Sequence, residues 1–202
     1  MDKILNYVFL VVIGVNVSAC SDLPRIRVLH DPLSPEEHVT LGLSYEIEGR
    51  PELAMREYDG ALSQRRGYAP ALIGLGNLAF ARGALTEAEA YFLQALAVAP
   101  EDPGANNNLA MLYLVRGENV NEAEQLAGRA LAQGGPLQPY VLDTMARIYV
   151  RQGRHREALE ALNNAEALVP ANNHAFHDEL AQFRQELAAS YPQSERGSEV
   201  ER

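Results

Sequence analysis

Small and apolar residues return along the chain with a period of about 34 residues. Four glycines mark the same point in four successive units, at separations of 34, 34 and 36 residues: Gly49, Gly83, Gly117 and Gly153. Four alanines repeat at separations of 34, 35 and 35 residues: Ala54, Ala88, Ala123 and Ala158. Within each unit apolar residues recur three or four positions apart, which is typical of amphipathic helices. The pattern therefore predicts four units of two helices each.

Local signals predict where these helices begin and end. Ser34, Pro35 and Glu37 form a typical helix start, with a capping hydroxyl, a proline in the first turn and a carboxylate that reaches back to the cap. Gly49 then predicts a helix end, because glycine readily adopts the left-handed conformation found there. The same capping-box spacing predicts that second helices begin at Thr86 with Glu89 and at Asn121 with Glu124.

The periodic positions also predict the core. Small residues let two helix backbones approach, and larger side chains fill the remaining space. The candidates for this filling role are Leu41, Tyr45, Tyr58, Leu75, Phe92, Leu109, Tyr113, Tyr149 and Leu162. One helix pair cannot bury such a face alone, so the pairs are expected to stack on one another.

The second unit carries the consensus residues of a known repeat: Leu75, Gly76, Gly83, Ala88, Phe92, Ala95 and Pro100. On this basis residues 34–170 resemble the tetratricopeptide repeat family. The resemblance implies an all-α fold, a right-handed α-solenoid of about four helix pairs with repeats at about 34–68, 69–102, 103–138 and 139–172. The tryptophan common early in this motif is replaced, in chain order, by His38, Leu72, Asn106 and Leu142.

A further helix is predicted after the last repeat. Four apolar residues recur there at helical spacing: Phe176, Leu180, Phe183 and Leu187. They predict a capping helix at 173–191 that covers the apolar end of the last repeat and turns a polar face to solvent. The repeat domain is thus expected at 34–191. Residues 192–202 have no apolar period and are predicted to be a disordered tail.

The first twenty residues have the layout of a targeting segment. Lys3 precedes a largely apolar run at 4–17, which is shorter than a membrane span and includes polar residues, so a signal peptide at 1–19 is favoured. The four residues ending at Cys20 resemble the bacterial lipobox, which implies lipidation of Cys20 and an extended tether at 20–33. The alternative is an ordinary signal peptide with an idle thiol. The resemblance favours an outer-membrane lipoprotein that faces the periplasm.

Composition narrows the classes of function. The net charge of −10 disfavours a nucleic-acid partner, since an acidic surface repels phosphates. Cys20 is the one cysteine, which excludes an internal disulfide and a multi-cysteine metal site. No catalytic motif, metal site or cofactor-binding loop is recognisable, so we expect no catalytic residues, no metal, no cofactor and no small-molecule substrate. His174 and His177 are interpreted as the solvated start of a helix.

A second apolar face on the first helix of each pair is the candidate binding site. In the tetratricopeptide family this face lines a concave groove that holds a peptide or a helix. The corresponding groove residues here are Leu43, Ile47, Ile73, Asn77, Phe80, Asn107, Met111, Leu114, Arg147 and Arg151. They imply a groove with an apolar middle and a basic end. Two alternatives remain: the apolar residues are core covered by neighbouring helices or the tether, and the arginines near 147–156 pair with Asp143, Glu157 or Glu160.

These features favour a lipid-anchored scaffold that binds another envelope protein through its groove. Similar short lipoproteins serve in the assembly of pilus, secretion or exopolysaccharide machines. The alternative is an accessory subunit of an envelope cysteine peptidase or another cell-wall enzyme, because residues 30–37 look similar to repeat segments fused to such peptidases. An enzyme in its own right is disfavoured, since the chain offers no nucleophile with its partners.

Overall fold

The computed structural model describes residues 31–190, which contain nine α-helices and no strand. In chain order the helices are α1 Pro35–Ile47, α2 Pro51–Gln64, α3 Ala69–Ala81, α4 Leu85–Val98, α5 Pro103–Arg116, α6 Val120–Ala132, α7 Gln138–Arg151, α8 His155–Leu168 and α9 His174–Ser190. The predicted signal peptide, Cys20, most of the tether and the predicted tail lie outside the described residues. Residues 33 onward form one unit; of the unit before it, only Asp31 and Pro32 are described.

The helices stack as four pairs followed by one further helix. Each odd-numbered helix from α1 to α7 packs along the even-numbered helix that follows it, and each pair contacts the next. The backbones of α1, α3, α5 and α7 also approach one another in that order, while α9 packs against α8. This arrangement confirms the predicted all-α helical repeat solenoid.

The first helix begins as the sequence predicts. The Glu37 backbone N–H donates to Ser34 Oγ at 3.2 Å, and the Ser34 backbone N–H donates to Glu37 Oε2 at 2.7 Å. These two bonds satisfy backbone groups that a helix start leaves without partners. The turns within the pairs use glycines with positive φ, such as Gly49 at 68° and Gly83 at 78°. The predicted capping box at α1 is therefore confirmed.

The two other predicted capping boxes are wrong. Helices α4 and α6 begin at Leu85 and Val120, so Thr86 and Asn121 lie inside the first turn, and the capping positions make no side-chain bond. The carboxylates form contacts between repeats instead. Glu89 pairs with Arg116 of the next repeat, and in the same way Glu124 accepts from Gln152 and Arg154. In these contacts between repeats, the carboxylate oxygens accept from side chains of the next repeat, whereas in a capping box they would accept from the backbone at the helix start.

Aromatic rings pack directly onto glycines in the core. Tyr58 lies between Gly42 and Gly74, where added Cβ atoms would come within 2.6 Å and 2.4 Å of its ring. The ring of Phe92 lies equally close to Gly76. The small residues of the repeat are thus required where a neighbouring ring fills the space that a methyl group would take.

The two polar residues at the usual tryptophan positions have different hydrogen-bond partners. His38 is buried and its Nδ1 lies 2.8 Å from Glu57 Oε2. Asn106 is also buried; its Nδ2 donates to two backbone carbonyls, and its Oδ1 accepts from Arg129 Nε at 3.1 Å. Because buried polar groups need hydrogen-bond partners, these contacts explain how the fold tolerates polar residues here.

The last helix closes the apolar end of the array. Phe176, Leu180 and Leu187 are buried against residues of α7 and α8, and Phe183 is half-buried beside them. The predicted capping helix is therefore confirmed. No helix between residues 31 and 190 has the length and apolar content that crossing a bilayer requires.

Candidate functional site

Two adjoining hollows lie along the odd-numbered helices. The first, called here the Phe80 hollow, has a volume of about 260 Å³ and is lined by Asn77, Phe80, Phe92, Asn108 and Met111. The second, called the Arg151 hollow, has a volume of about 350 Å³ and is lined by Met111, Leu114, Val115, Arg147, Val150, Arg151 and Phe183. Met111 belongs to both hollows, so they form one surface that runs from α3 through α5 and α7 to α9.

Six of the ten residues assigned to the groove from the sequence line these hollows: Asn77, Phe80, Met111, Leu114, Arg147 and Arg151. The other four lie elsewhere. Leu43 and Ile47 project from α1, where Ile47 is 89% exposed. Ile73 is half-buried and packs against a core cluster that contains Leu72. Asn107 is half-buried, and its covered Oδ1 has no hydrogen-bond partner among residues 31–190.

Three lining residues were not assigned to the site from the sequence: Phe92, Asn108 and Phe183. Val115 and Val150 also line the hollows, and both occupy matching positions on the second face that the helical spacing predicts. The sequence holds little signal for Asn108 and Phe183, because their place depends on how α5 and α9 are rotated against α3 and α7. Phe183 was predicted as a capping residue, and it also forms a wall of the hollow.

Paired amides form the polar part of the Phe80 hollow. Asn108 Nδ2 on α5 donates to Asn77 Oδ1 on α3 at 2.7 Å. The pair leaves the Asn77 amide nitrogen and the Asn108 carbonyl oxygen without a partner in the described part of the chain. One donor and one acceptor are therefore available at the edge of an apolar surface.

The two groove arginines are in different electrostatic situations. Arg147 Nε donates to Asp143 Oδ2 at 2.8 Å, its Nη2 donates to Glu179 Oε1 at 3.0 Å, and its guanidinium lies 4.7 Å from the centre of the Phe183 ring. Arg151 makes one long contact of 3.4 Å to the Leu114 carbonyl oxygen and has no carboxylate partner among residues 31–190. Arg151 is therefore the cation that this surface can offer to an acidic group.

The neighbouring arginines form ion pairs with carboxylates, which is the alternative that the sequence left open. Arg154 pairs with Glu157 and Glu124, and Arg156 pairs with Glu160. Hydrogen bonds from Gln152 and then Arg154 hold the pKa of Glu124 below its usual value, and Arg154 lowers the pKa of Glu157. These carboxylates stay charged and keep Arg154 engaged, so this cluster is a structural network outside the two hollows.

Two further hollows lie away from this surface. One of about 390 Å³ is formed by the turns on either side of the fourth pair and includes Tyr140 and Phe176. The other, of about 300 Å³, lies between the start of α2 and the end of α3. Neither contains a residue assigned to the groove. Among residues 31–190 no group of histidine, cysteine, aspartate or glutamate has the arrangement needed to hold a metal ion.

Comparisons with known proteins agree on the repeat. Residues 47–112 and residues 144–177 match two models of the tetratricopeptide repeat. No curated protein matches the sequence significantly.

Solved structures share the fold at low sequence identity. PilF of Pseudomonas aeruginosa is 24% identical with a TM-score of 0.59, covering 80% of this chain and 74% of that chain. MamA is 20% identical with a TM-score of 0.55, covering 66% of this chain and 77% of that chain. A chain of the APC/C hetero-tetramer Cut9–Hcn1 is 18% identical with a TM-score of 0.62, covering 74% of this chain and 29% of that chain.

Proposed function

We propose that this chain, which is a tetratricopeptide repeat protein, is a scaffold that holds a segment of a partner protein across the Phe80 and Arg151 hollows. Tetratricopeptide repeats generally bind partner proteins or peptides. The described residues offer one continuous surface suited to that task, formed by five of the nine described helices, with α4 contributing Phe92. We place the site there.

The observation that carries the proposal is the uncovered apolar lining of the Arg151 hollow. Val115 is 54% exposed, and Met111 and Val150 lie half-exposed beside it, although the inner side of the same helices is fully buried. Apolar surface removed from water by a partner contributes about 25 cal/mol per Å². Side chains of a partner that enter the two hollows would therefore supply most of the affinity.

Polar groups at the surface would set the direction of the bound segment. The spare donor of Asn77 and acceptor of Asn108 suit a peptide backbone, which carries one donor and one acceptor per residue. Arg151, without a carboxylate partner in the described chain, suits an acidic side chain of the partner. A segment with apolar residues followed by an acidic one fits this order of groups.

A photo-crosslinking amino acid at Val115 tests the proposal in intact cells. Val115 lies in the Arg151 hollow, and the matched control is Leu93, an apolar residue of α4 that is 47% exposed and lies in neither hollow. We expect one defined protein to be captured from position 115 and not from position 93. Equal capture from both positions would contradict a binding surface in the hollows. Capture of a cell-wall enzyme would favour the accessory-subunit alternative over an assembly machine.

We further propose that the scaffold is lipid-anchored in the cell envelope, in the outer membrane facing the periplasm, and serves a pilus, secretion or exopolysaccharide machine. The support is the apolar run at 4–17 followed by the lipobox-like residues ending at Cys20. The likeness to PilF is one of fold. Acyl chains contribute about 0.8 kcal/mol per buried methylene, so a multiply acylated cysteine would hold the repeat domain at a membrane.

Replacement of Cys20 tests the anchor. In Cys20→Ser the thiol that would receive the lipid is absent, so we expect loss of labelled-palmitate incorporation and release from the membrane fraction. A serine at another exposed position, Ala181→Ser in α9, serves as the control and should be labelled normally. Normal labelling of Cys20→Ser would rule out lipidation at this residue.

A further inference from the structure

The last helix is attached to the body of the array differently on its two sides. Phe176, Leu180 and Leu187 are buried in a cluster with residues of α8 and α7, and Arg184 Nη2 pairs with Glu166 Oε2 of α8 at 2.7 Å. Towards α7, the neighbouring odd-numbered helix, backbone contact is sparser than the contact that links α1 to α3, α3 to α5 and α5 to α7. The Arg151 hollow lies at this junction, since α7 and α9 both line it.

The start of α9 is tied to α7 by the rings of Phe176 and Tyr140, whose centres lie 4.5 Å apart, and beside the hollow one arginine bridges the two helices. Arg147 leaves α7 and reaches two groups of α9: it donates to Glu179 Oε1 at 3.0 Å and stacks at 4.7 Å on the Phe183 ring. Its other contact, to Asp143, lies one turn earlier on its own helix and fixes the direction of the side chain. Arg147 thus touches the one ring that α9 contributes to the Arg151 hollow.

We propose that Arg147 is a positioning residue that fixes α9 as the far wall of the Arg151 hollow and thereby sets its width. The role of that hollow in binding a partner rests on the proposed function. Arg147 acts through Glu179 and Phe183, whereas Arg151 remains the cation that faces a partner. Because the buried cluster of Phe176, Leu180 and Leu187 does not involve Arg147, loss of the bridge lets the hollow side of α9 shift without unfolding the helix.

The bridge can be broken on the α9 side alone, which leaves the Arg147–Asp143 pair intact. The test variant is Glu179→Gln with Phe183→Leu, which removes the ion pair and the ring while keeping an apolar side chain. The matched control is Glu160→Gln, which breaks the exposed Arg156–Glu160 pair within α8. An exposed ion pair and a cation–π contact together change the ratio of fixed to displaced α9 by roughly tenfold.

Distances between spin labels report the position of α9 without any partner. The full chain with Cys20→Ser has no other thiol, so two introduced cysteines are the sole labelling sites. The test pair is Gln125→Cys on α6 with Gln185→Cys on α9, and the reference pair is Gln94→Cys on α4 with Gln125→Cys. All three positions are exposed.

We expect the test distance in the double variant to broaden and to shift by about 1–2 Å or more, the usual scale of helix displacements. The reference distance, and both distances in Glu160→Gln, should match the wild type. An unchanged test distance would overturn the inference. Equal broadening of both distances would also overturn it, because Arg147 would then stabilise the whole array. No partner takes part in this distance measurement. Failed capture from Val115 would therefore refute the proposed function without affecting the test of Arg147.

Discussion

At the scale of single residues, Arg147 and Arg151 should respond oppositely to charge reversal. Asp143 is 5% exposed and its Oδ1 has no hydrogen-bond partner in the described part of the chain, so Arg147 provides its compensating charge. Arg147→Glu would leave that carboxylate beside two others, and we expect a loss of about 2 kcal/mol or more in the free energy of unfolding. Arg151→Glu should change stability by no more than about 0.5 kcal/mol. Urea unfolding of both variants measures this, and equal stabilities would refute the different roles.

Two glycines offer a second prediction at this scale. An added Cβ at Gly76 would lie 2.4 Å from the buried ring of Phe92, whereas at Gly128 it would meet no described residue within 4 Å. Gly76→Ala should therefore destabilise the protein by about 1–3 kcal/mol through overpacking. Gly128→Ala should stabilise it by about 0.5–1 kcal/mol, because alanine restricts the unfolded chain and favours the helix. Calorimetric melting temperatures that move in the same direction for both variants would contradict this account of the core.

At the scale of elements, the contribution of α9 depends on which of its residues is removed. Leu180 is fully buried against α7 and α8, and Phe183 is half-buried at the hollow. We expect Leu180→Ala to cost about 2–4 kcal/mol, and Phe183→Ala to cost less than that despite the larger ring. Ala188, exposed on the same helix, supplies the control Ala188→Ser. If thermal unfolding of Leu180→Ala matches that control, α9 does not cap the array.

The helices also show how much of the fold can be predicted from the sequence. The 34-residue period and the glycines after α1, α3, α5 and α7 predicted the helix pairs, because helix ends and close packing have local chemical requirements. The capping boxes at Thr86 and Asn121 failed for a physical reason. Their carboxylates, Glu89 and Glu124, pair with arginines of the next repeat, and a contact between repeats leaves no trace in local spacing.

The candidate site could likewise be predicted only in part from the sequence. Phe80, Met111 and Leu114 line the hollows as their helical spacing indicated. The partners of Arg147 on α9 lie 32 and 36 residues away, and only the packing of α9 brings them to it. Leu43 and Ile47 occupy matching positions in α1, but no segment among residues 31–190 completes a hollow around them.

At the scale of the whole molecule, the central claim is that the joined hollows hold a partner segment. Val115 is the most informative position, because it is exposed in the Arg151 hollow, whereas Phe80 packs partly against the core and its replacement risks unfolding. Leu93→Glu on α4 introduces the same charge at a similarly exposed apolar position outside the hollows. Circular dichroism establishes that each variant is folded before binding is compared.

The decisive measurement is the dissociation constant of the protein captured from position 115, determined by titration against wild type, Val115→Glu and Leu93→Glu. A charge placed within an apolar contact should cost at least about 1.4–2 kcal/mol, so we expect Val115→Glu to weaken binding by at least about tenfold. Leu93→Glu should stay within about twofold of wild type. Folded Val115→Glu protein that binds as tightly as wild type would contradict the claim that the hollows hold the partner.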